Sequence, residues 1–341
     1  SKLIKKKCIK DATFARSDTS NIYKNDNIMK KTVSIFMLFA LALVSTMVWA
    51  ESLSERIRAS KNNVTKEVNV GGFDAVCLNG SSKIIYTQTS GKQELELSVP
   101  DNLQDIVQVY VKNRTLIIEL KKGYSVSFEN GASLELRVAA PMVRSAVING
   151  SGDIIFENGV DVNHGIDWTV NGSGDIDADK VKCRKMNVAV NGSGDIALGD
   201  VSGVEMNMAV NGSGDVAVKS ISADRVNSAV NGSGDVNIKG ISADEVNGTV
   251  NGSGDVTLSG KCAKANYSLS GSGDIACSYL KAKQATVYTS PRSTGDISCY
   301  ASEKIIINKE GKNSDVSYSG NPRTVEKNST KGRHHRHSND D

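Results

Sequence analysis

The chain has 341 residues and a formal net charge of +3, and it contains 5% aromatic residues, 31 glycines and only 4 prolines. This composition excludes a collagen, a disordered acidic chain and a disulfide-dense miniprotein. Residues 1–50 carry nine basic and three acidic side chains, which leaves 32 basic and 35 acidic side chains, a net charge of −3, in the remainder. The sequence therefore indicates no basic surface and predicts no nucleic-acid partner.

A secretory signal peptide is predicted at residues 29–50. Two lysines follow its Met, residues 33–48 form a nearly unbroken apolar run, and a final Val-Trp-Ala fits a cleavage site. The alternative, a membrane anchor, needs about 20 apolar residues. We expect cleavage after Ala50, no transmembrane span afterwards, and an exported protein in the periplasm, at the outer membrane surface or outside the cell. Residues 1–28 are interpreted as upstream sequence that is not part of the natural protein.

Five cysteines follow the predicted leader: Cys77, Cys183, Cys262, Cys277 and Cys299. An odd and sparse set in an exported protein implies at least one free thiol, so disulfides are not the main source of stability. No Cys-x-x-Cys pair is present, which argues against a cysteine-based zinc site. Cys277 and Cys299 share a position in successive repeats; buried thiols are favoured there over a bridge.

Residues 51–143 are predicted to be an irregular β region that caps the repeats. Period-two alternation of apolar side chains marks strands near residues 83–87, 94–99 and 115–120. Asn113-Arg114 is predicted to be the turn between two of these strands.

Internal repetition dominates residues 144–320. The string Asn-Gly-Ser-Gly-Asp begins at Asn149, Asn171, Asn191, Asn211, Asn231 and Asn251, and a variant begins at Ser270. The Asp of the string recurs every 19 to 22 residues, which is typical of a solenoid. Aliphatic and β-branched residues occupy fixed positions around each string, as a core lined by strands requires. The glycines are expected to supply left-handed backbone angles for a tight turn.

Two architectures fit this period. Asn-Gly is a hairpin signal, which favours an antiparallel β-meander. A second column of asparagines favours a parallel β-helix, in which each period is one coil and the side-chain amides form a ladder. This column comprises Asn187, Asn207, Asn227, Asn247 and Asn266. We predict an all-β fold, a right-handed single-stranded parallel β-helix with coils of about 20 residues. Residues 321–341 are polar and charged and are predicted to be a disordered tail.

The chain resembles the putative auto-transporter adhesin, head GIN domain family of exported proteins from Bacteroidetes-type bacteria. The repeated Gly-Ser-Gly-Asp turns between Gly150 and Asp274 carry the resemblance, together with a weaker upstream pattern that begins at Phe73. The resemblance covers roughly residues 65–320. It implies a right-handed parallel β-helix, similar to pectin-lyase-like folds but without a recognised catalytic set, and a role in cell-surface adhesion.

The Asp column is the candidate functional feature: Asp153, Asp175, Asp195, Asp215, Asp235, Asp255 and Asp274. Repeated Gly/Asp turns bind calcium in β-rolls, but those have nine-residue repeats with a ligand turn on both sides of each coil. Here the period is longer and one turn bears Asp. We therefore interpret the column as structural, each Asp accepting a turn amide or a neighbouring Ser hydroxyl. A cation bound along the column is the alternative.

No catalytic residue, metal or cofactor is predicted, because an enzyme needs one unique acid–base cluster and a ladder of identical residues is the opposite pattern. The irregular candidates are His164, Trp168, Arg184, Arg225, Tyr267, Tyr279, Tyr288 and Tyr300. The four tyrosines lie in the last coils and could stack on sugar rings. The expected function is an exported, non-enzymatic adhesion or scaffolding module with a glycan or protein partner. The alternative is a carbohydrate-binding or carbohydrate-active β-helix.

Overall fold

The computed structural model describes residues 55–129 and 131–328. The part before the repeats is built from strands and one short 3-10 turn, Asp101–Leu103. Its strands are β1 (Glu55–Arg58), β2 (Asn63–Glu67), β3 (Ala75–Leu78), β4 (Lys83–Gln88), β5 (Glu94–Pro100), β6 (Val107–Lys112), β7 (Thr115–Leu120), β8 (Tyr124–Ser127) and β9 (Glu135–Ala140). The predicted upstream segment (1–28) and signal peptide (29–50) lie outside the described residues.

The repeat region consists of strands joined at the Gly-Ser-Gly turns. They are β10 (Ser145–Ile148), β11 (Asp153–Phe156), β12 (Val160–Asp161), β13 (Gly165–Val170), β14 (Ile176–Lys182), β15 (Lys185–Val190), β16 (Ile196–Ser202), β17 (Glu205–Val210), β18 (Val216–Val230), β19 (Val236–Val250), β20 (Val256–Leu269), β21 (Ile275–Ala276), β22 (Leu280–Thr289), β23 (Ile297–Lys309), β24 (Val316–Ser319) and β25 (Thr324–Asn328). The longest, β18 and β19, have 15 residues each, because the backbone stays extended from one turn to the next.

Each repeat lies beside the next in parallel register. Strand β15 pairs with β17 so that Asn187 lies beside Asn207, and β18 pairs with β19 so that Val218 lies beside Ile238. Each period is therefore one coil of a parallel β-solenoid, which has about nine turns. The predicted β-helix is confirmed. The alternative antiparallel meander is wrong for the repeats, because Asn-Gly forms the corner of a coil here and reverses no strand.

The region before the repeats contributes two more coils, whose order in the stack differs from their order in the chain. Strands β3 and β4 pair in parallel with β10 and β11 on one side and with β7 and β9 on the other. Parallel stacking therefore begins before residue 143, where the sequence placed the end of an irregular cap. Antiparallel strands lie outside the coils: β6 on β7, β5 on β9, and β2 on β5. They cover backbone that an outermost coil would otherwise leave unpaired.

The turn between β6 and β7 forms as predicted. Asn113 and Arg114 both adopt left-handed backbone angles, with φ of 51° and 61°. Two successive positive φ values are the requirement of the two-residue hairpin turn that matches the twist of its strands.

The core is a set of aliphatic columns that run from coil to coil. Val218 and Ile238 are 2% and 0% exposed, and the residues beside them in the stack are buried as well. Where the coils are less regular, aromatic rings fill the interior. Phe156 stacks on Trp168 with ring centroids 4.3 Å apart, and Tyr86 packs against Phe156 at 5.3 Å. Burial of apolar surface, at roughly 25 cal/mol per Å², is the main term that holds the coils together.

The last strand corrects the predicted tail. β25 (Thr324–Asn328) pairs in parallel with β23, so residues 324–328 are part of the sheet and do not belong to the predicted disordered tail. Their side chains are exposed because no further described coil lies over them. An exposed strand can be polar throughout, so its sequence resembles that of a disordered tail. Along residues 55–129 and 131–328, no helix has the length and apolar character needed to cross a membrane.

Candidate functional site

Each Asp of the column is the first residue after a Gly-Ser-Gly turn. One carboxylate oxygen, Oδ1, of each Asp accepts the backbone N–H of the Asp one coil later, at donor–acceptor distances of 2.7 to 3.2 Å. This chain of bonds links Asp153, Asp175, Asp195, Asp215, Asp235, Asp255, Asp274, Asp296 and Asp315. The donor amide thus belongs to the following coil, so each carboxylate joins two coils.

The column concentrates negative charge. Successive Asp residues lie about 4.8 Å apart, the spacing of paired strands, and carboxylates at that distance repel one another. Beside the column, the pKa of Asp177 is raised by partial burial and then by the charges of Asp175, Asp153 and Asp179. Within the described ranges, no group of three or more His, Cys, Asp or Glu side chains has an arrangement that could hold a metal ion. The calcium alternative stays a prediction for experiment.

Two asparagine ladders run parallel to the Asp column. In the predicted ladder, each Nδ2 donates to the Oδ1 of the preceding Asn at 2.6 to 2.8 Å, from Asn187 to Asn266. A second ladder, which the sequence analysis missed, runs along the first residue of every turn from Asn79 to Asn251, at 2.8 to 2.9 Å. Stacked side-chain amides can hydrogen-bond to one another in this way only when equivalent residues of successive coils lie side by side. The ladders therefore fix the register of the coils.

The turn glycines are required for a different reason from the one expected. Positive φ values occur at other glycines, such as Gly80 and Gly240, and at none of the Gly-Ser-Gly positions. Instead, a Cβ built on Gly214 would overlap the carbonyl oxygen of Gly194 in the preceding coil, and the equivalent overlap recurs throughout both glycine columns. The prediction of left-handed angles was therefore wrong, and close contact between stacked backbones explains the glycines.

Most of the irregular candidate residues do not form a shared site. Trp168 and Tyr267 are buried in the core, so neither ring is available to a ligand. The side chain of His164 contacts the carbonyl of Gly165 at 2.8 Å, and Asp167 accepts a bond from Asn187, so His164 and Asp167 are not paired. The burial of Trp168 and Tyr267 could have been predicted from the alternation of side chains along a strand. Each lies two residues before an inward aliphatic position and therefore on the same, inward face.

Two arginines and one tyrosine of the candidate set lie at separate places on the surface. Arg225 forms an ion pair with Glu245 of the next coil at 3.3 Å, and the hydroxyl of Tyr288 donates to Glu310 at 3.3 Å. Arg184 is exposed at a corner. These contacts join neighbouring coils and bring no acid and base together for catalysis.

Cys277 and Cys299 are free thiols, as the sequence analysis favoured. They lie close to Cys262 and to the ring of Tyr267, all buried. Burial raises the pKa of Cys262 and of Cys299 to about 12 and raises that of Cys277 further. These thiols are therefore protonated at neutral pH and poor nucleophiles.

A cluster of lysine and tyrosine side chains lies on the last coils; we call Lys261, Tyr279, Lys281 and Tyr300 the tyrosine–lysine patch. Lys261, Tyr279 and Lys281 are exposed, and Tyr300 is half-buried. Tyr279 is 80% exposed, and the ammonium of Lys281 lies 4.0 Å from the ring centroid of Tyr300. Lys261 and Lys281 are register partners on adjacent strands, so two positive charges lie side by side. Ring faces and adjacent ammonium groups form a surface suited to an anionic, ring-bearing ligand.

Comparison with known proteins finds a matching family profile and solved structures with a similar fold. The sequence profile described as "Putative auto-transporter adhesin, head GIN domain" matches residues 72–240 and 206–322. A solved putative adhesin from Parabacteroides distasonis ATCC 8503 has a TM-score of 0.58 and 18% identity, covering 80% of this chain and 100% of that chain. A putative adhesin from Parabacteroides merdae ATCC 43184 has a TM-score of 0.59 and 18% identity, covering 81% and 100%.

At such identity, the likeness to the solved structures supports the fold alone. A comparison with curated proteins finds no match. The family profile, in contrast, covers well over half of the sequence. The chain therefore belongs to the putative auto-transporter adhesin, head GIN domain family.

Proposed function

We propose that this protein is an exported, non-enzymatic β-solenoid that acts at the cell surface or envelope, in adhesion or scaffolding. The observation that carries the proposal is the use of its carboxylates: the column Asp oxygens accept backbone amides that join one coil to the next. Catalysis needs a unique acid and base positioned on one substrate. Stacked coils with a continuous core form a scaffold that presents a surface to a partner. Membership of an adhesin family supports the same function.

The tyrosine–lysine patch is the part of this surface that we assign to the partner. A carbohydrate-binding role, with an acidic polysaccharide as ligand, is supported by the 80% exposure of Tyr279 and by the adjacent Lys261 and Lys281. An exposed ring can stack on the apolar face of a sugar, and ammonium groups can pair with uronate carboxylates.

Binding to immobilised polygalacturonate, an acidic polysaccharide, tests the patch, with a neutral polysaccharide as comparison. We expect Tyr279→Ala and Lys281→Ala to weaken binding by about 10-fold each. Tyr318→Ala and Lys327→Ala are matched controls, because Lys327 lies 5.7 Å from the ring of Tyr318 in a second exposed pair. Equal binding by patch and control variants would refute the assignment of the patch. Release of new reducing ends would refute the non-enzymatic role.

Export is tested by fractionating the producing cells and sequencing the N-terminus of the protein. We expect the mature chain to begin at Glu51 and to be found in the envelope or the medium. A cytoplasmic protein that retains residues 29–50 would contradict export.

A further inference from the structure

A row of charged side chains crosses five successive coils on the outer surface of the solenoid, just after the Asp column. Acids occupy one end of the row and lysines the other. Four residues away from the Asp column, successive coils place Glu157, Asp179, Gly199, Lys219 and Lys239. We call this row the charge stripe. Its four charged side chains are exposed. Glu157 directly follows β11, whose Phe156 lies beside Ala178. The strands that carry the other positions are in register, since Ala178 lies beside Leu198, Leu198 beside Val218, and Val218 beside Ile238.

The stripe borders a shallow groove of about 560 Å³ on the same face. Small residues form its floor, among them Ala197, Ala217 and Gly199. Gly199 stacks closely on the backbone of Asp179 and carries no side chain above the sheet. The middle of the stripe is therefore low, and its two ends are oppositely charged.

The order of charges is symmetric about Gly199. Two acids precede it at distances of one and two coils, and two lysines follow it at the same distances. A two-fold axis parallel to the strands through Gly199 would place Glu157 opposite Lys239 of a second copy, and Asp179 opposite Lys219. Both pairs occur twice in such a dimer. An isologous interface requires a patch that is complementary to itself, and this stripe meets that condition.

The local charges around the stripe leave its acidic end with an excess of negative charge. The pKa of Asp177, which lines the groove beside Asp179, is raised by partial burial and by neighbouring carboxylates. At the centre, Asp200 accepts a hydrogen bond from Ser220 at 2.7 Å and lies 4.0 Å from the ammonium of Lys219. Its charge is thus partly compensated within its own chain. At the acidic end, Lys83 opposes the effect of these carboxylates on Asp177. Lysines of a second copy would add further positive charge there.

We propose that the charge stripe is a docking surface for a second copy of this chain, in an antiparallel two-fold dimer centred on Gly199. This inference does not depend on the proposed partner of the tyrosine–lysine patch. Charged groups at such an interface set orientation and register more than affinity, so we expect association that weakens strongly as salt rises.

Sedimentation of the purified protein tests the proposal through charge exchange. The variant Lys219→Glu/Lys239→Glu has only acids on its stripe, and Glu157→Lys/Asp179→Lys has only lysines. Each alone is expected to self-associate at least about 10-fold more weakly than wild type at low ionic strength. An equimolar mixture of the two should associate again, because every contact in the mixed dimer is complementary. The fourfold variant that carries all these changes should also recover self-association.

Lys264→Glu/Lys283→Glu is the matched control, because it changes the net charge equally at exposed positions away from the stripe. It should dimerise like wild type. Circular dichroism of all variants should show the wild-type fold, since every altered side chain is exposed. A wild-type protein that stays monomeric at high micromolar concentration and low salt would overturn the proposal. So would dimers that persist in either single-sided variant, or a mixture that fails to associate.

Discussion

Replacement of Gly214 by Ala probes how the coils stack. A Cβ at this position would lie 2.8 Å from the carbonyl carbon of Gly194 and closer still to its oxygen. Non-bonded heavy atoms are comfortable at about 3.5 Å or more, so the two coils would have to separate locally by about 1 Å. Both partners are backbone, which cannot rotate away, and the same contact recurs between Gly214 and Gly234 on the other side.

The expected cost follows from this geometry. Overpacking typically costs about 1–3 kcal/mol when side chains can yield. Because backbone must yield here, we expect Gly214→Ala to lower the free energy of unfolding by about 3 kcal/mol or more. The melting temperature should fall by at least about 6 °C.

Denaturant titration and thermal melts, followed by circular dichroism, measure the effect. Gly165→Ala is the matched control, because a Cβ there would lie 3.7 Å from its nearest neighbour, the carbonyl oxygen of Lys185, in ordinary contact. That control should be neutral or slightly stabilising, since alanine reduces the entropy of the unfolded chain. If Gly214→Ala melted within about 1 °C of Gly165→Ala, close backbone stacking would not be the reason for the glycine columns.

Three further predictions concern the column, the core and the thiols. Asp235→Asn should lower stability by about 1 kcal/mol or less, because an amide oxygen can still accept the bond from the next coil, made at 2.7 Å in wild type. Melts with chelator and with calcium check this, and a calcium-dependent rise in wild type that vanishes in the variant would show a cation site instead. Val218→Asp should lower stability by several kcal/mol, because it buries an unpaired charge; an unchanged melt would mean that this column faces solvent. Burial raises the pKa of Cys183, Cys262 and Cys299 from 9.0 to about 12 each. The folded state thus holds these protons to higher pH than the unfolded state, so stability present below pH 9 should be lost as the pH rises towards 12. Replacing all three by Ala should flatten this alkaline loss in denaturant titrations, and an unchanged slope would contradict the assignment.

The solenoid architecture could be predicted because the same sequence pattern recurs in every repeat. Each aliphatic column and the ladder from Asn187 to Asn266 repeats with one period, and only stacked coils bring such positions together. Residues 55–143 carry no such string, so the reversed order of their coils, with β7 and β9 outside β3 and β4, had no signal in the sequence.

The site was predicted only in part. The Asp column was found from the motif, but its donor in the following coil depends on the distance between coils, which the sequence does not reveal. The predicted sugar platform of four tyrosines does not form as a unit, because Tyr267 is buried in the core whereas Tyr279 is exposed. The partnership of Lys281 with Tyr300 depends on an irregular register between β22 and β23 and was not predictable from spacing.

The most direct test of the proposed function is attachment of living cells. Cells of the producing strain, an in-frame deletion strain and a complemented strain would be counted on immobilised polygalacturonate after washing under flow. The account predicts that deletion reduces attachment, that the wild-type gene restores it, and that a gene with Tyr279→Ala and Lys281→Ala does not. Attachment that is unchanged by deletion would contradict an adhesive role for this protein on that ligand, and restoration by the double variant would contradict the role of the tyrosine–lysine patch.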